Sequence, residues 1–180
     1  MDVEPAEIAA TRRWLERAVI GLNLCPFAKA VHVKRQVRFV LSNAHDTDAL
    51  HADLERELLH LQATSPDEVD TTLIVHPHVL QDFLAYNDFL DVADTTVRTL
   101  GLEGEIQVAS FHPDYVFAGE PADDPSNCTN RAPYPTLHLL REASIDRAVA
   151  AYPDPDVIVE RNIATMRRLG VAAFRRLLES

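Results

Sequence analysis

Two short apolar runs close on the same dipeptide, with a helix-period segment between them. "TTLIVHP" (71–77) and "EIQVASFHP" (105–113) each read as a buried strand ending in His-Pro, at His76 and His112. Between them Phe83, Tyr86, Leu90, Ala93, Val97 and Leu100 recur at the helical period. Gly101 then stands where a left-handed residue ends a helix. Strands joined by a helical crossover of this length are normally parallel, with a right-handed connection. That constraint decides the class: an α/β sheet with helices on its faces.

The rest of the chain extends the pattern. "RQVRFVLS" (35–42) predicts a further strand, and Asp46 is placed to cap a helix whose inner face is Leu50, Leu54, Leu58 and Leu61. Ahead of it, Ile8, Thr11, Leu15, Val19 and Leu22 predict a helix from Pro5 to about Leu22, weakening at Gly21 and the Cys25-Pro26 pair. Residues 113–135 read as irregular, about 136–151 as a helix, and 156–179 as one or two helices interrupted near Gly170. The expected fold is a small, mainly parallel three-stranded sheet covered by helices, with additional C-terminal helices, in a single domain over residues 1–180. A chain of 180 residues is long enough for one real core.

Composition bears on partners more than on fold. With 47% hydrophobic and 25% charged residues the chain is an ordinary globular one. Its net charge of -11 argues against a nucleic-acid partner, since phosphate-backbone binders present a basic surface. The opening stretch "MDVEPAEIAATRRWLERAV" is acidic and holds no continuous apolar run, so neither a signal peptide nor a membrane span is expected. The expected setting is cytoplasmic, with Cys25 and Cys128 as free thiols. Leu22, Leu24 and Phe27 around Cys25 predict that it packs in a core, whereas Cys128 lies in a polar cluster and is expected to be exposed. Phosphate-loop, Gly-x-Gly-x-x-Gly and Gly-x-Ser-x-Gly motifs are absent, and "DDPSNCTNRAPY" lacks the central glycine and closing glutamate of a calcium loop. The cofactor and the oligomeric state stay open.

Chemistry concentrates in "SNCTNRAPYPTLHLLRE" (126–142). Ligands of open α/β sheets collect beyond the carboxyl ends of the strands, which puts His76, His112 and the segment leaving His112 on one rim. If Pro135 or Thr136 begins a helix, His138, Arg141 and Glu142 share a face near free N–H groups suited to an anion. His112 or His138 would then be the general acid/base, oriented by Asp124 or Glu142, while Arg131 and Arg141 hold the anion. Asn127, Thr129, Asn130 and His76 complete this candidate ligand site. The matching function is a hydrolase or transferase acting on a small anionic metabolite. The alternatives are a non-catalytic ligand-binding or regulatory module, or a polar segment that merely holds an irregular loop. His76, His112 and His138 with Asp114, Asp123 or Asp124 would suit a metal, but "HPH" is no zinc signature and no His-Glu-x-x-His occurs, so no metal is expected.

"GLNLCPFA", "FHPDYVFAG", "NCTNRAPYPTLHLLRE" and "ERNI" resemble the signature blocks of a family, mostly from bacteria, known as domain of unknown function 1415. The blocks run from the first predicted helix to the last, so the resemblance covers nearly the whole chain. It implies one intact domain and carries over no activity, fold or catalytic residue.

Overall fold

Ile8, Thr11 and Trp14 turn one face of helix α1 (Ala6–Trp14) inward, and the helix then widens into a π-helical turn, Leu15–Ile20. The structure, a computed structural model, describes residues 3–179. At the end of the widened turn the Gly21 N–H reaches the carbonyl of Glu16, five residues back, at 3.0 Å. A Cβ at Gly21 would lie 2.2 Å from the Arg17 carbonyl oxygen. Only glycine fits so close to backbone, which is why the helical pattern weakens here. Gly21→Ala is expected to cost about 1–3 kcal/mol as the turn is forced apart. Urea unfolding checks this, and a variant as stable as the parent would show that the turn relaxes freely.

A short helix α2 (Ala28–Val33) follows, which the periodicity does not announce. Strand β1 (Val37–Leu41), helix α3 (Thr47–Ala63), strand β2 (Thr71–Val75), helix α4 (Phe83–Thr99) and strand β3 (Ile106–Phe111) then come in the expected order. Asp46 caps α3 by accepting from the Ala49 N–H at 2.8 Å, and Asp82 caps α4 through the Ala85 N–H at 2.9 Å. Leu50, Leu54, Leu58 and Leu61 on α3 are fully buried, each contributing on the order of 1.5–3 kcal/mol.

The expected helix at 136–151 is the main correction. Residues Thr136–Arg141 form a fourth strand, β4, and only Glu142–Ala150 is helical, as α5. Leu137 and Leu139 point into one core with no exposure, while His138 and Leu140 face the opposite way, which is the two-residue period of a strand. The sheet has four strands in the order β1-β2-β4-β3, so it is mixed rather than mainly parallel and three-stranded. β1 and β2 are parallel, and β4 lies antiparallel to both β2 and β3. β2 and β3 therefore run the same way without touching, because the chain returns from β3 at the same edge and threads β4 between them.

Helices α6 (Asp156–Leu169) and α7 (Val171–Leu178) complete the chain, broken at Gly170, whose φ is 81°. One face of the sheet packs on α3 and α4, through Ile74, Ile106, Leu137 and Leu139. The other face carries a second core of Trp14, Leu15, Ala18, Cys128, Met166 and Phe174. Among the described residues no helix is long and apolar enough to cross a membrane.

Candidate functional site

The two strand-end histidines share one edge, as the common direction of β2 and β3 requires. Both are fully buried and hold backbone. His76 donates from Nδ1 to the Val79 carbonyl at 2.9 Å. His112 donates from Nε2 to the Leu80 carbonyl at 3.0 Å and accepts the Asp114 N–H on Nδ1 at 3.0 Å. Between them the Tyr86 hydroxyl donates to the Thr136 carbonyl at 2.7 Å and accepts from the Phe111 N–H at 3.1 Å. Desolvation holds His76 down at about 4 and lowers His112 as well, so both imidazoles are neutral anchors for the segments that leave the sheet.

The segment 126–142 distributes its polar groups in the same manner. Residues Pro125–Asn130 form a 3₁₀ turn, capped by the Asp124 carboxylate, which accepts the Ser126 N–H at 2.9 Å. That hydrogen bond, followed by the one from Arg167, holds the Asp124 carboxyl below its ordinary range. Asn127 is fully buried, accepting from the Phe117 N–H at 2.9 Å and donating to the Pro121 carbonyl at 2.8 Å. Asn130 donates to the Ser110 carbonyl at 3.2 Å, whereas the Thr129 hydroxyl is buried without a partner among the described residues. Arg131 donates to the carbonyls of Tyr115 at 3.0 Å and Ala122 at 2.8 Å. Arg141 donates to the carbonyls of Leu61, Thr64 and Val69 at 2.7–3.2 Å. Glu142 follows β4, its N–H bonded to the Glu105 carbonyl at 2.9 Å.

The expected convergence of His112, His138, Arg131 and Arg141 on one anion site is therefore not what the chain builds. With Thr136 in a strand there is no helix start at His138. Arg141 lies at the end of α3, His112 at the loop before α4, and Arg131 against its own loop. The cysteines also exchange their expected roles. Cys128 is 1% exposed in the second core, where desolvation raises its thiol, because the 3₁₀ turn packs on α6. Cys25 is exposed, because Leu24 takes the inward position at that bend.

His138 alone of the expected residues reaches a cavity, and it does so from the face opposite Leu137 and Leu139. A space of about 400 Å³ lies over the sheet, floored by Leu73, Ala109 and His138 and roofed by Trp14, Val31 and Ile145. It persists because the two helices at its sides, α2 and α5, bury none of their residues. The lining is predominantly apolar, and Asp70 is its one formally charged side chain. That size and character match small-molecule sites. The π-helical turn supplies Leu15 and Val19 to the wall, and such turns recur at functional positions. Cys25 lines the cavity as well.

The hydrogen bonds around His138 settle its tautomer. Thr71 Oγ1 lies 2.8 Å from the Leu139 carbonyl and 2.5 Å from His138 Nε2. A carbonyl only accepts, so with both bonds made the single Thr71 proton goes to Leu139 and His138 donates from Nε2. Nδ1 is left with a lone pair that has no hydrogen bond among the described residues, and the ring lines the cavity. The cross-strand neighbours of His138 are the apolar Leu73 and Ala109. Desolvation holds the imidazole down at about 4, neutral at physiological pH.

Sequence reasoning missed Thr71, Trp14 and Ala109. The available signal was the alternation of "TLHLL", which places a histidine on the face opposite two core leucines. Among the described residues no group of three or more His, Cys, Asp or Glu side chains is arranged to hold a metal ion.

The model of a family described as "Protein of unknown function (DUF1415)" matches residues 6–176. No curated protein and no solved structure matches the chain.

Proposed function

The chain belongs to the DUF1415 family, and on that premise we propose that it is a small-molecule-binding domain whose ligand occupies the cavity over the sheet. The observation that carries this reading is a preformed apolar space of about 400 Å³ with an uncommitted imidazole lone pair in its floor. Filling it would remove apolar surface of the half-buried Phe27, Val31 and Phe111 from water, at roughly 25 cal/mol per Å². The lone pair would fix the ligand's orientation. A hydrolase or transferase acting on an anion draws less support. Its two arginines are engaged by backbone carbonyls, and among the described residues no carboxylate hydrogen-bonds the His138 ring.

Trp14 is the only tryptophan and lines the cavity, so its emission reports occupancy directly. Apolar probes such as propylbenzene are expected to shift that emission saturably. Ala109→Phe, which places a ring on the cavity floor, should weaken this binding at least about tenfold while leaving the fold intact, the equivalent of about 1.4 kcal/mol. Undiminished binding to a folded Ala109→Phe protein would place the ligand elsewhere.

A further inference from the structure

The arrangement of donors and acceptors goes further than the size of the cavity. Resting on the reading above, we propose that the ligand is an uncharged, largely apolar alcohol or phenol whose hydroxyl donates to His138 Nδ1. Near His138 the protein's own hydroxyl protons are already placed: Thr71 gives its proton to the Leu139 carbonyl, and Ser144 gives its proton to Asp70 Oδ1 at 2.6 Å. Among the described residues the hydroxyls on the floor thus have no free proton. The Gln107 carboxamide that also lines the space is exposed and lies across from Leu140, so a ligand head seated at Nδ1 must donate to be satisfied. A carboxylate or phosphate would meet a lone pair, and among the described residues no arginine or lysine lines the space. An amide would satisfy Nδ1 but leave its carbonyl only the exposed Gln107 carboxamide as a partner. A hydroxyl needs only the acceptor.

A protonated amine is the serious competitor, because Asp70 lies on the lining. That carboxylate already accepts from Ser144, which in turn accepts from Arg147 at 3.1 Å, and the Arg141 guanidinium lies within its field. Its charge is partly answered before any ligand arrives. His138 is in the middle of β4, paired on both sides, and is the acceptor the apolar floor surrounds.

Four probes on one skeleton separate these cases: propylbenzene, para-propylphenol, para-propylbenzoate and para-propylbenzylamine, titrated calorimetrically into the wild-type protein and His138→Leu. The phenol is expected to bind wild type about 2–10 fold more tightly than propylbenzene, the range of one net hydrogen bond, and the benzoate more weakly than both. In His138→Leu that preference should vanish while propylbenzene still binds. Tightest binding by the benzoate or the benzylamine overturns the proposal, as does a phenol preference that survives in His138→Leu. Failure of all four probes to bind would instead sink the cavity reading itself. Should His138→Leu not fold, nitrogen NMR of labelled histidine in the wild type decides. His138 should be neutral and protonated on Nε2, with Nδ1 shifting on addition of para-propylphenol and not of propylbenzene. A proton found on Nδ1 removes the acceptor and the proposal with it.

Discussion

Folding stability is expected to fall by several kcal/mol as pH drops from about 6.5 to about 4, a window that meets carboxylate titration only at its acid end. His76 and His138 are both held at about 4 by desolvation, against 6.5 for a free imidazole. Within that interval the unfolded chain binds protons that the folded chain refuses, so stability rises with pH. The contribution is fully present above the unfolded value of 6.5 and is lost once pH has fallen through about 4. Each histidine is worth on the order of 3 kcal/mol across the window. His112, lowered in the same direction by its burial, adds to the slope. Urea unfolding at a series of pH values measures it. His138→Leu removes one of the titrating groups and should flatten the dependence by about a third if the three act alike. A parent protein whose stability is level through this window would mean that these imidazoles accept protons in place.

The neutrality of these imidazoles was not legible in the sequence, though the residues themselves were. Strands 1 to 3 were legible because β-branched runs such as "TLIV" are bounded by turn residues, and α3 and α4 because their leucine and aromatic faces repeat over seventeen residues each. Asp46 marked the start of α3 and Gly170 the break between α6 and α7 through local chemistry that needs no tertiary partner. β4 was not legible. "TLHLLR" satisfies both periods, since Leu137, Leu140 and Arg141 stand at helical spacing while Leu137 and Leu139 alternate. The open slot between β2 and β3 decides the matter, and that slot exists only after those strands are placed. The cavity was hidden for the same reason. Its floor comes from residues as far apart as Thr71 and His138, and the tautomer of His138 depends on a proton that Thr71 gives to Leu139. Cys25 shows the limit from the other side: apolar neighbours in sequence do not make a residue buried when the chain bends and Leu24 turns inward.

Arg141→Ala is expected to cost at least about 3 kcal/mol of stability, because its guanidinium closes the end of α3. The last carbonyls of a helix have no partner within it. Arg141 reaches two at this end, Leu61 at 2.8 Å and Thr64 at 2.7 Å, and adds Val69, which ties β4 to the loop entering β2. Hydrogen bonds from a charged donor are worth about 1.5–3 kcal/mol each, and their loss leaves the Leu61 carbonyl only the Thr64 N–H at 3.4 Å where the site is partly buried. Arg141→Lys should recover little, since one ammonium cannot span three carbonyls as the planar fork does. Arg131→Ala removes bonds to Tyr115 and Ala122, one of them exposed, and is expected to cost only about 1–2 kcal/mol. Thermal melts of the three variants, each with and without phosphate and small carboxylates, read both the order and its cause. If Arg141→Ala melts like the parent while an anion stabilises the wild type and not the variant, the guanidinium holds a ligand instead of a helix end. Early unfolding of Arg141→Ala, unrelieved by Lys and indifferent to anions, is the signature of an arginine whose anion is the carbonyl end of α3.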